Sequence, residues 1–346
     1  MQKKIIALAI AGLASTAAFA QSNVTIYGRA DLGGVYRFGD SGGVADTEGK
    51  YEIASGIQAG SRIGFKGVED LGNGLKALFE VEYGMSMDQN TGGNKAATWT
   101  NRHSYVGLTG GFGTVVGGHL DGVRYGVFNT YDPFAGGTVA NFTQMTIQVD
   151  RASNAVAYIS PKFSGFGLVL AYGTAINAAE SDGNNTDSSL QTIMGTYDNG
   201  PITARLDYEQ VTTPGTSGNK TWVATAGASY DFGVVKLSAL LDQIKNEDTN
   251  LKQQAWLIGA SAPVGKFALK AVVGGVKNKA DGVSDADSIK WGLGLDYNLS
   301  KRTNLYANYG QISNDDGATI ALNQAANSNQ AGYGTAGFDF GIAHKF

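Results

Sequence analysis

The sequence predicts an all-β fold, a transmembrane antiparallel β-barrel of sixteen strands. Three observations lead there. Apolar residues recur with period two over segments of about ten residues, short and long connectors alternate along the chain, and the last nine residues form one more alternating segment that stops on an aromatic.

In chain order, the first twenty residues stand apart. Lys3 and Lys4 give a basic start, Ile5 to Leu13 an apolar stretch, and Ala18-Phe19-Ala20 a small-x-small end before Gln21. This reads as a cleaved signal peptide over residues 1–20, leaving a barrel over 21–346. Its apolar stretch is too short to cross a bilayer as a helix. The remaining 326 residues lose two lysines, so 24 bases face 30 acids, a net charge of −6. A strongly basic patch is absent, which argues against nucleic acid as a partner. With no cysteine there is neither a disulfide framework nor a thiolate metal site. No apolar run approaches the roughly 18 residues of a membrane helix. Yet 42% hydrophobic and 10% aromatic residues are too many for a disordered chain.

The strands follow from alternation. Leu75, Ala77, Phe79, Val81 and Tyr83 interleave with Lys76, Leu78, Glu80 and Glu82. Ile202, Ala204, Leu206 and Tyr208 interleave with Thr203, Arg205, Asp207 and Glu209, and Ile289 to Tyr297 repeats the pattern. Successive strand side chains point to opposite faces, so each segment has one apolar and one polar or small face. Segments of about 9 to 11 residues match a tilted transmembrane strand.

The connectors set the count. Seven short turns, such as Asn73-Gly74, Ser164-Gly165 and Asn199-Gly200-Pro201, carry residues suited to tight turns. They alternate with eight longer polar stretches near 38–56, 86–100, 119–150, 175–189, 212–220, 244–253, 278–287 and 313–332. Fifteen connections give sixteen strands with both termini on the short-turn side, the layout of an outer-membrane barrel with short periplasmic turns and long external loops. Fourteen or eighteen strands also fit boundaries uncertain by a few residues. At the C-terminus, Phe338, Phe340, Ile342, His344 and Phe346 alternate with Asp339, Gly341, Ala343 and Lys345. Pairing this strand with the one from Val24 to Tyr36 would remove the open edge.

Several stretches resemble the trimeric general porins of the Gram-negative outer membrane, in their betaproteobacterial branch. They are residues 22–28 (SNVTIYG), 61–72 (SRIGFKGVEDLG), 102–113 (RHSYVGLTGGFG) and 158–166 (YISPKFSGF), with the terminal strand ending in Phe346. The resemblance implies a homotrimer in outer-membrane lipid, a third loop folded into the pore, and passive diffusion of small hydrophilic solutes and ions. It also implies that the barrel-assembly machinery reads the terminal strand and Phe346.

The third long connector, His119 to Asp150, is long enough to be functional. Tyr125, Phe128, Tyr131, Phe134 and Phe142 want burial there, beside Asp121, Arg124, Asp132 and Asp150. Packed on the inner wall, such a loop narrows the lumen; the alternative is a surface loop over the mouth. By resemblance, Asp132-Pro133-Phe134 stands at the loop tip. Arg62 and Arg151 fall on polar parities, whereas the alternation around Arg102 is broken. The resemblance places all three in a basic cluster opposite the loop, which implies a modest anion preference. They could instead solvate the wall and bond loop carbonyls.

No cofactor or catalytic set is expected. His103, His119 and His344 share no metal-ligand spacing, and Asp281, Asp285 and Asp287 lack the glycine and terminal glutamate of a calcium loop. The competing readings are a channel specific for an anionic solute such as phosphate or a dicarboxylate, and, from another class, a barrel adhesin or enzyme. A ladder of arginines or aromatics would favour the former, a nucleophile set at the mouth the latter; neither is evident.

Overall fold

The computed structural model describes residues 23–40, 49–88, 99–135, 137–146, 149–176, 187–214, 219–280, 283–315, 317–322 and 334–346. The expected signal peptide and the loop acids Glu180, Asp182 and Asp281 lie outside them. The strands are β1 (Asn23–Phe38), β2 (Lys50–Ser55), β3 (Arg62–Gly72), β4 (Leu75–Met85), β5 (Trp99–Gly110), β6 (Gly113–Asp121), β7 (Arg151–Ile159), β8 (Phe166–Gly173) and β9 (Ser189–Asn199). They continue as β10 (Ile202–Thr213), β11 (Asn219–Asp231), β12 (Lys236–Asn246), β13 (Lys252–Val264), β14 (Phe267–Ala280), β15 (Val283–Asn298), β16 (Thr303–Asn314) and β17 (Ala336–Lys345). An α-helix, α1 (Val123–Tyr131), and a single 3-10 turn (Thr143–Met145) lie between β6 and β7.

These seventeen segments occupy sixteen positions. β1 pairs with β3 through Asn23–Arg29 and with β2 through Leu32–Arg37, so β2 and β3 are two halves of one position. Each later strand pairs antiparallel with its predecessor, and β1 pairs with β17 from Arg29↔Lys345 to Phe38↔Ala336, closing the barrel. Closure pairs the backbone groups an edge would expose, which lipid cannot solvate. The seam ends on Phe346, whose amide and carbonyl exchange 3.1 Å hydrogen bonds with Gly28. A side chain at Gly28 would collide with the Phe346 ring, so the glycine is the notch the terminal aromatic needs.

Alternation sorts the faces. Ile26, Phe79, Leu206, Leu241, Leu293 and Phe340 are exposed on the outer surface, where lipid rather than water would meet them. The opposite parity, with Asp31, Glu82, Asp207, Asp242, Lys290 and Asp339, points inward. The first turn takes Asn73 (φ 52°) and Gly74 (φ 78°) into the left-handed region, as a two-residue hairpin requires.

Two expected loops turn out shorter. The stretch 38–56 contains β2, in which Tyr51 and Ile53 are exposed and Glu52 pairs with Arg37 on the neighbouring β1. The stretch 278–287 is the tip of the β14–β15 hairpin, interrupted only at 281–282. Its polar composition suits a ladder that continues beyond the membrane, where both faces meet water. The Lys277–Asp287 ion pair at 2.8 Å joins the two strands there.

The third loop does not lie over the mouth. Its described residues, 122–135, 137–146 and 149–150, fold inside the barrel, and the main hydrophobic core is the contact between this loop and the wall. Phe128, Tyr131, Phe134 and Phe142 are buried with Leu240, Leu257, Val272 and Ile312. The wall beneath them is bare. Side chains added at Gly227, Gly259, Gly274 and Gly294 would strike Tyr131, Pro133, Phe142 and Phe134 respectively, so these inward glycines form the seat of the loop.

Candidate pore constriction

The loop is fixed by buried polar contacts as well as by packing. The Arg124 guanidinium donates to both oxygens of Asp242, Nε at 2.8 Å and Nη2 at 2.6 Å, and its backbone amide donates to Glu209 at 3.0 Å. Thr225 also donates to Asp242, at 2.6 Å. The Ser238 hydroxyl holds the Tyr131 carbonyl at 2.6 Å, closing the C-terminal end of α1.

Beyond α1 the chain turns around Asp132. Its carboxylate accepts the amides of Phe134 and Phe142 at 2.8 and 2.7 Å, which draws the two halves of the loop together. Full burial pushes this carboxyl above the usual range, against those two amides and the nearby charge of Lys290. Lys290 donates to the Asn141 carbonyl at 2.5 Å, and Asp339 accepts the Val139 amide at 2.7 Å. Asp150, at the loop's exit, is likewise raised by burial, opposed by the neighbouring Arg151.

These contacts reassign part of the expected site. Arg124 and Asp132 are 2% and 4% exposed, so they are anchors rather than charges presented to the lumen. Pro133 and Phe134 sit on wall glycines, as already described. Among the loop aromatics it is Tyr125, half-buried on α1, that stays on the open side, within electrostatic reach of Arg62.

The opposite wall is polar and carries arginines. Arg62 on β3 and Arg102 on β5 flank Glu82 on β4, and both donate to its Oε1, at 3.4 and 2.6 Å. A bulge between β4 and β5 explains the broken alternation at Arg102. The register slips after Glu82↔His103, the next pair being Tyr83↔Asn101, and Arg102 is the extra residue, turned toward the same carboxylate as Arg62. Arg151 reaches the same wall through Asp121, which also meets His103. Asn154 (φ 51°) bulges β7, so parity counted from Ala155 does not carry back to residue 151. Arg151 meets Asp121 at 3.2 Å.

Two features were not anticipated. Arg29 on β1 is the cross-strand partner of Arg62, and it reaches Gln58 and, at 3.8 Å, Asp31. The alternation Thr25, Tyr27, Arg29, Asp31 already held that signal. Glu80, Glu82 and His103 also gather, with potential ligand atoms within 4.8 Å of one another. Tyr27 and Tyr105 donate to Glu80, and His103 bridges Glu80 and Asp121 at 3.2 Å each. Phenol, imidazole and guanidinium donors thus already occupy these carboxylates, and the group works as a hub tying β1, β3, β4, β5 and β6.

A closed antiparallel barrel of sixteen positions is also what comparison finds. A family model described as Gram-negative porin matches residues 7–317. The chain is 35% identical to outer membrane porin protein 32 of Delftia acidovorans over the full length of both. It belongs to the Gram-negative porin family. An outer-membrane porin of Bordetella pertussis is 29% identical, again over both full lengths. The solved anion-selective porin from Comamonas acidovorans superposes with a TM-score of 0.78 at 31% identity, covering 94% of this chain and all of that one. OmpT of Vibrio cholerae, at 14% identity and a TM-score of 0.71, shares the fold. This porin is an outer-membrane protein and a general diffusion channel.

Proposed function

We propose that the porin prefers anions modestly, and that the preference is set at the constriction by Arg62 and Arg102 with Arg29 beside them. The observation that carries this is the shared carboxylate. Two guanidiniums converge on Glu82, whose side chain is 4% exposed, while those of Arg62 and Arg102 are 23% and 10% exposed. Positive charge therefore faces the solution and the compensating charge sits behind it. Asp121, the exposed acid nearby, is met by Arg151 and His103. The net charge of −6 works against the preference only weakly. At physiological salt the Debye length is about 8 Å, so carboxylates in the external loops are screened from the narrow zone. Selectivity then comes from size at the loop and charge on the wall. The Comamonas relative is described as anion-selective, which supports the same reading.

The test is the reversal potential of a planar bilayer under a salt gradient. Wild type should pass anions in excess, and Arg62→Ala and Arg102→Ala should each move the potential toward zero. Cation preference in wild type, or no shift in either variant, would remove the arginines from the mechanism.

Three further expectations belong to this reading. Cleavage after Ala20 would leave Gln21 as the first residue of the mature protein, which N-terminal sequencing checks. The channel would be a homotrimer that stays folded in detergent until heated, and a helix-rich or monomeric species would count against it. Deleting Phe346 would lower the yield of folded protein more than the conductance of what folds, because the residue closes the seam on Gly28 and offers its ring to the assembly machinery. Gly28→Val, which fills the notch instead, should have the same effect; wild-type yields from both variants would refute this role.

A further inference from the structure

Seven acidic side chains are buried among the described residues, and six of them have donors. Asp31 accepts from the Ala59 amide and the Tyr306 hydroxyl, Asp132 from the Phe134 and Phe142 amides, and Asp339 from the Val139 amide and Asn308. Glu82 and Asp242 accept guanidiniums, and Glu209 accepts the amide of Arg124. Asp207 is the exception. It is 1% exposed, and neither of its carboxylate oxygens has a hydrogen-bond partner. A buried carboxylate without donors is costly, so another group must answer it.

Its surroundings are acidic as well. Asp207 and Glu209 point inward from β10, two residues and about 7 Å apart along one strand. Across the sheet, Asp207 stands opposite Thr225, and Thr225 opposite Asp242. Three acids thus lie beneath the start of α1, and Arg124 is the cation among them, within electrostatic reach of all three. The neighbouring cations of this wall turn elsewhere. Arg205, the next inward residue of β10, bonds Asp198 at 2.8 Å, and Arg151 meets Asp121 at 3.2 Å. One guanidinium against three carboxylates leaves two negative charges in the contact between loop and wall.

The atoms left over are oxygens. Asp207 offers two, Glu209 the one that the Arg124 amide does not reach, and Thr192, directly opposite Glu209, a buried hydroxyl. Carboxylate and hydroxyl oxygens suit a hard cation, and a divalent one balances the two remaining charges. Calcium takes mono- or bidentate carboxylates at about 2.3–2.6 Å in a flexible geometry, whereas magnesium demands a near-ideal octahedron. Two acids fixed on one strand fit the more tolerant ion.

We propose that Asp207 and Glu209 bind one calcium ion beneath α1, with Thr192 as a further ligand and water completing the shell. The ion neutralises the charge that Arg124 leaves over and, through Glu209, ties the first turn of α1 to the wall. It lies behind the loop, outside the permeation path, so it steadies the opening without setting the ion preference.

The experiment uses porin purified in detergent, depleted of metal with EDTA and titrated with calcium chloride by calorimetry. One site per chain is expected, with magnesium binding more weakly. Asp207→Asn keeps the shape of the side chain and removes its charge, and Glu209→Gln can still accept the Arg124 amide. Each should weaken calcium by about 100-fold, since even the outer partners of a metal ligand are worth about 10- to 100-fold. Calcium should raise the unfolding temperature of wild type and leave that of both variants unmoved. EDTA should make wild-type channels noisier without changing their reversal potential. Asp287→Asn, which removes an acid at the external end of β15, should bind like wild type. The proposal is overturned if wild type binds no calcium, or if either folded variant binds it as wild type does. Loss of binding in Asp287→Asn would also overturn it, by moving the ion to the external end. So would an infrared C=O stretch of a protonated carboxyl in calcium-treated wild type that Asp207→Asn lacks, since a proton would then answer Asp207. Should Asp207→Asn not fold, Glu209→Gln and the wild-type titration decide.

Discussion

The inner wall of this barrel has two halves built on opposite principles. From β11 to β16 the inward positions include a row of glycines, and the third loop covers them, so that Phe128, Phe134 and Phe142 find a dry interior in a protein whose centre is a channel. On β1, β3, β4 and β5 the inward positions are long and charged, and they face the loop from the other side of the opening. One half gives the loop a fixed position; the other gives the opening its charge. A single alternating pattern encodes both, because period two decides only which residues point inward. What they do there depends on whether a side chain or a neighbouring segment fills the space.

The two halves should therefore fail differently. The largest effect is expected at the loop anchor. Arg124→Ala strands Asp242, whose side chain is fully buried, and leaves Glu209 with the backbone amide of residue 124 but without the guanidinium charge nearby. Breaking a buried pair from one side costs about 3–5 kcal/mol. Single channels of this variant should be noisier and of larger conductance, and the folded protein should unfold at lower temperature in detergent. Removing both partners in Arg124→Ala/Asp242→Ala should restore part of the loss, since the isolated charge is then gone. Wild-type current traces from Arg124→Ala would mean the loop is held by packing alone.

A smaller effect is expected at the seat. Gly294→Leu pushes against the Phe134 ring, and overpacking a filled interior costs about 1–3 kcal/mol. The loop should shift toward the lumen, lowering conductance with little change in ion preference. Gly195→Ala is the control, since a side chain there meets nothing. If both substitutions leave conductance unchanged, the glycine row is not what positions the loop.

The contrast also explains what was legible in the sequence. Strand number follows from the spacing of the connectors, and the parity of Glu80, Glu82 and Arg62 and the closing strand from local alternation, and all are found. The helix α1 was not read, although Arg124, Val127, Phe128 and Tyr131 are its buried residues and stand at helical spacing. An arginine counts as polar in such a pattern, and its burial depends on Asp242, 118 residues away. The burial of Asp132 is hidden for the same reason: the amides that its carboxylate accepts belong to residues 134 and 142 of its own loop. Arg102 was ambiguous because a bulge is a property of two strands together. The glycine seat was hidden because glycine on a polar face looks the same whether water or a phenyl ring lies above it.

The smallest effect on stability, and the sharpest on charge, is expected from Glu82→Gln. The amide keeps the shape of the carboxylate and still offers an oxygen to Arg62 and Arg102, so the hub should hold. What changes is the field. Two guanidiniums now answer to no formal charge at that position, and the opening gains one unit of positive charge close to the permeating ion. Unit charges 4 Å apart interact by about 1 kcal/mol in water and about 4 kcal/mol at an effective dielectric of 20. Exposure of the arginines to the lumen puts the effect near the lower figure, about fivefold for each ion and, because the two signs respond oppositely, about thirtyfold in the anion-to-cation permeability ratio. Arg62→Ala and Arg102→Ala should shift the reversal potential in the opposite sense. Arg29→Ala should shift it less, because its charge is shared with Asp31 and Gln58. The same four variants should leave the thermal unfolding of the loop anchor near wild type, whereas Arg124→Ala moves it and leaves ion preference nearly unchanged. A Glu82→Gln channel with unaltered reversal potential would show that the shared carboxylate, buried behind its arginines, is already invisible to the permeating ion.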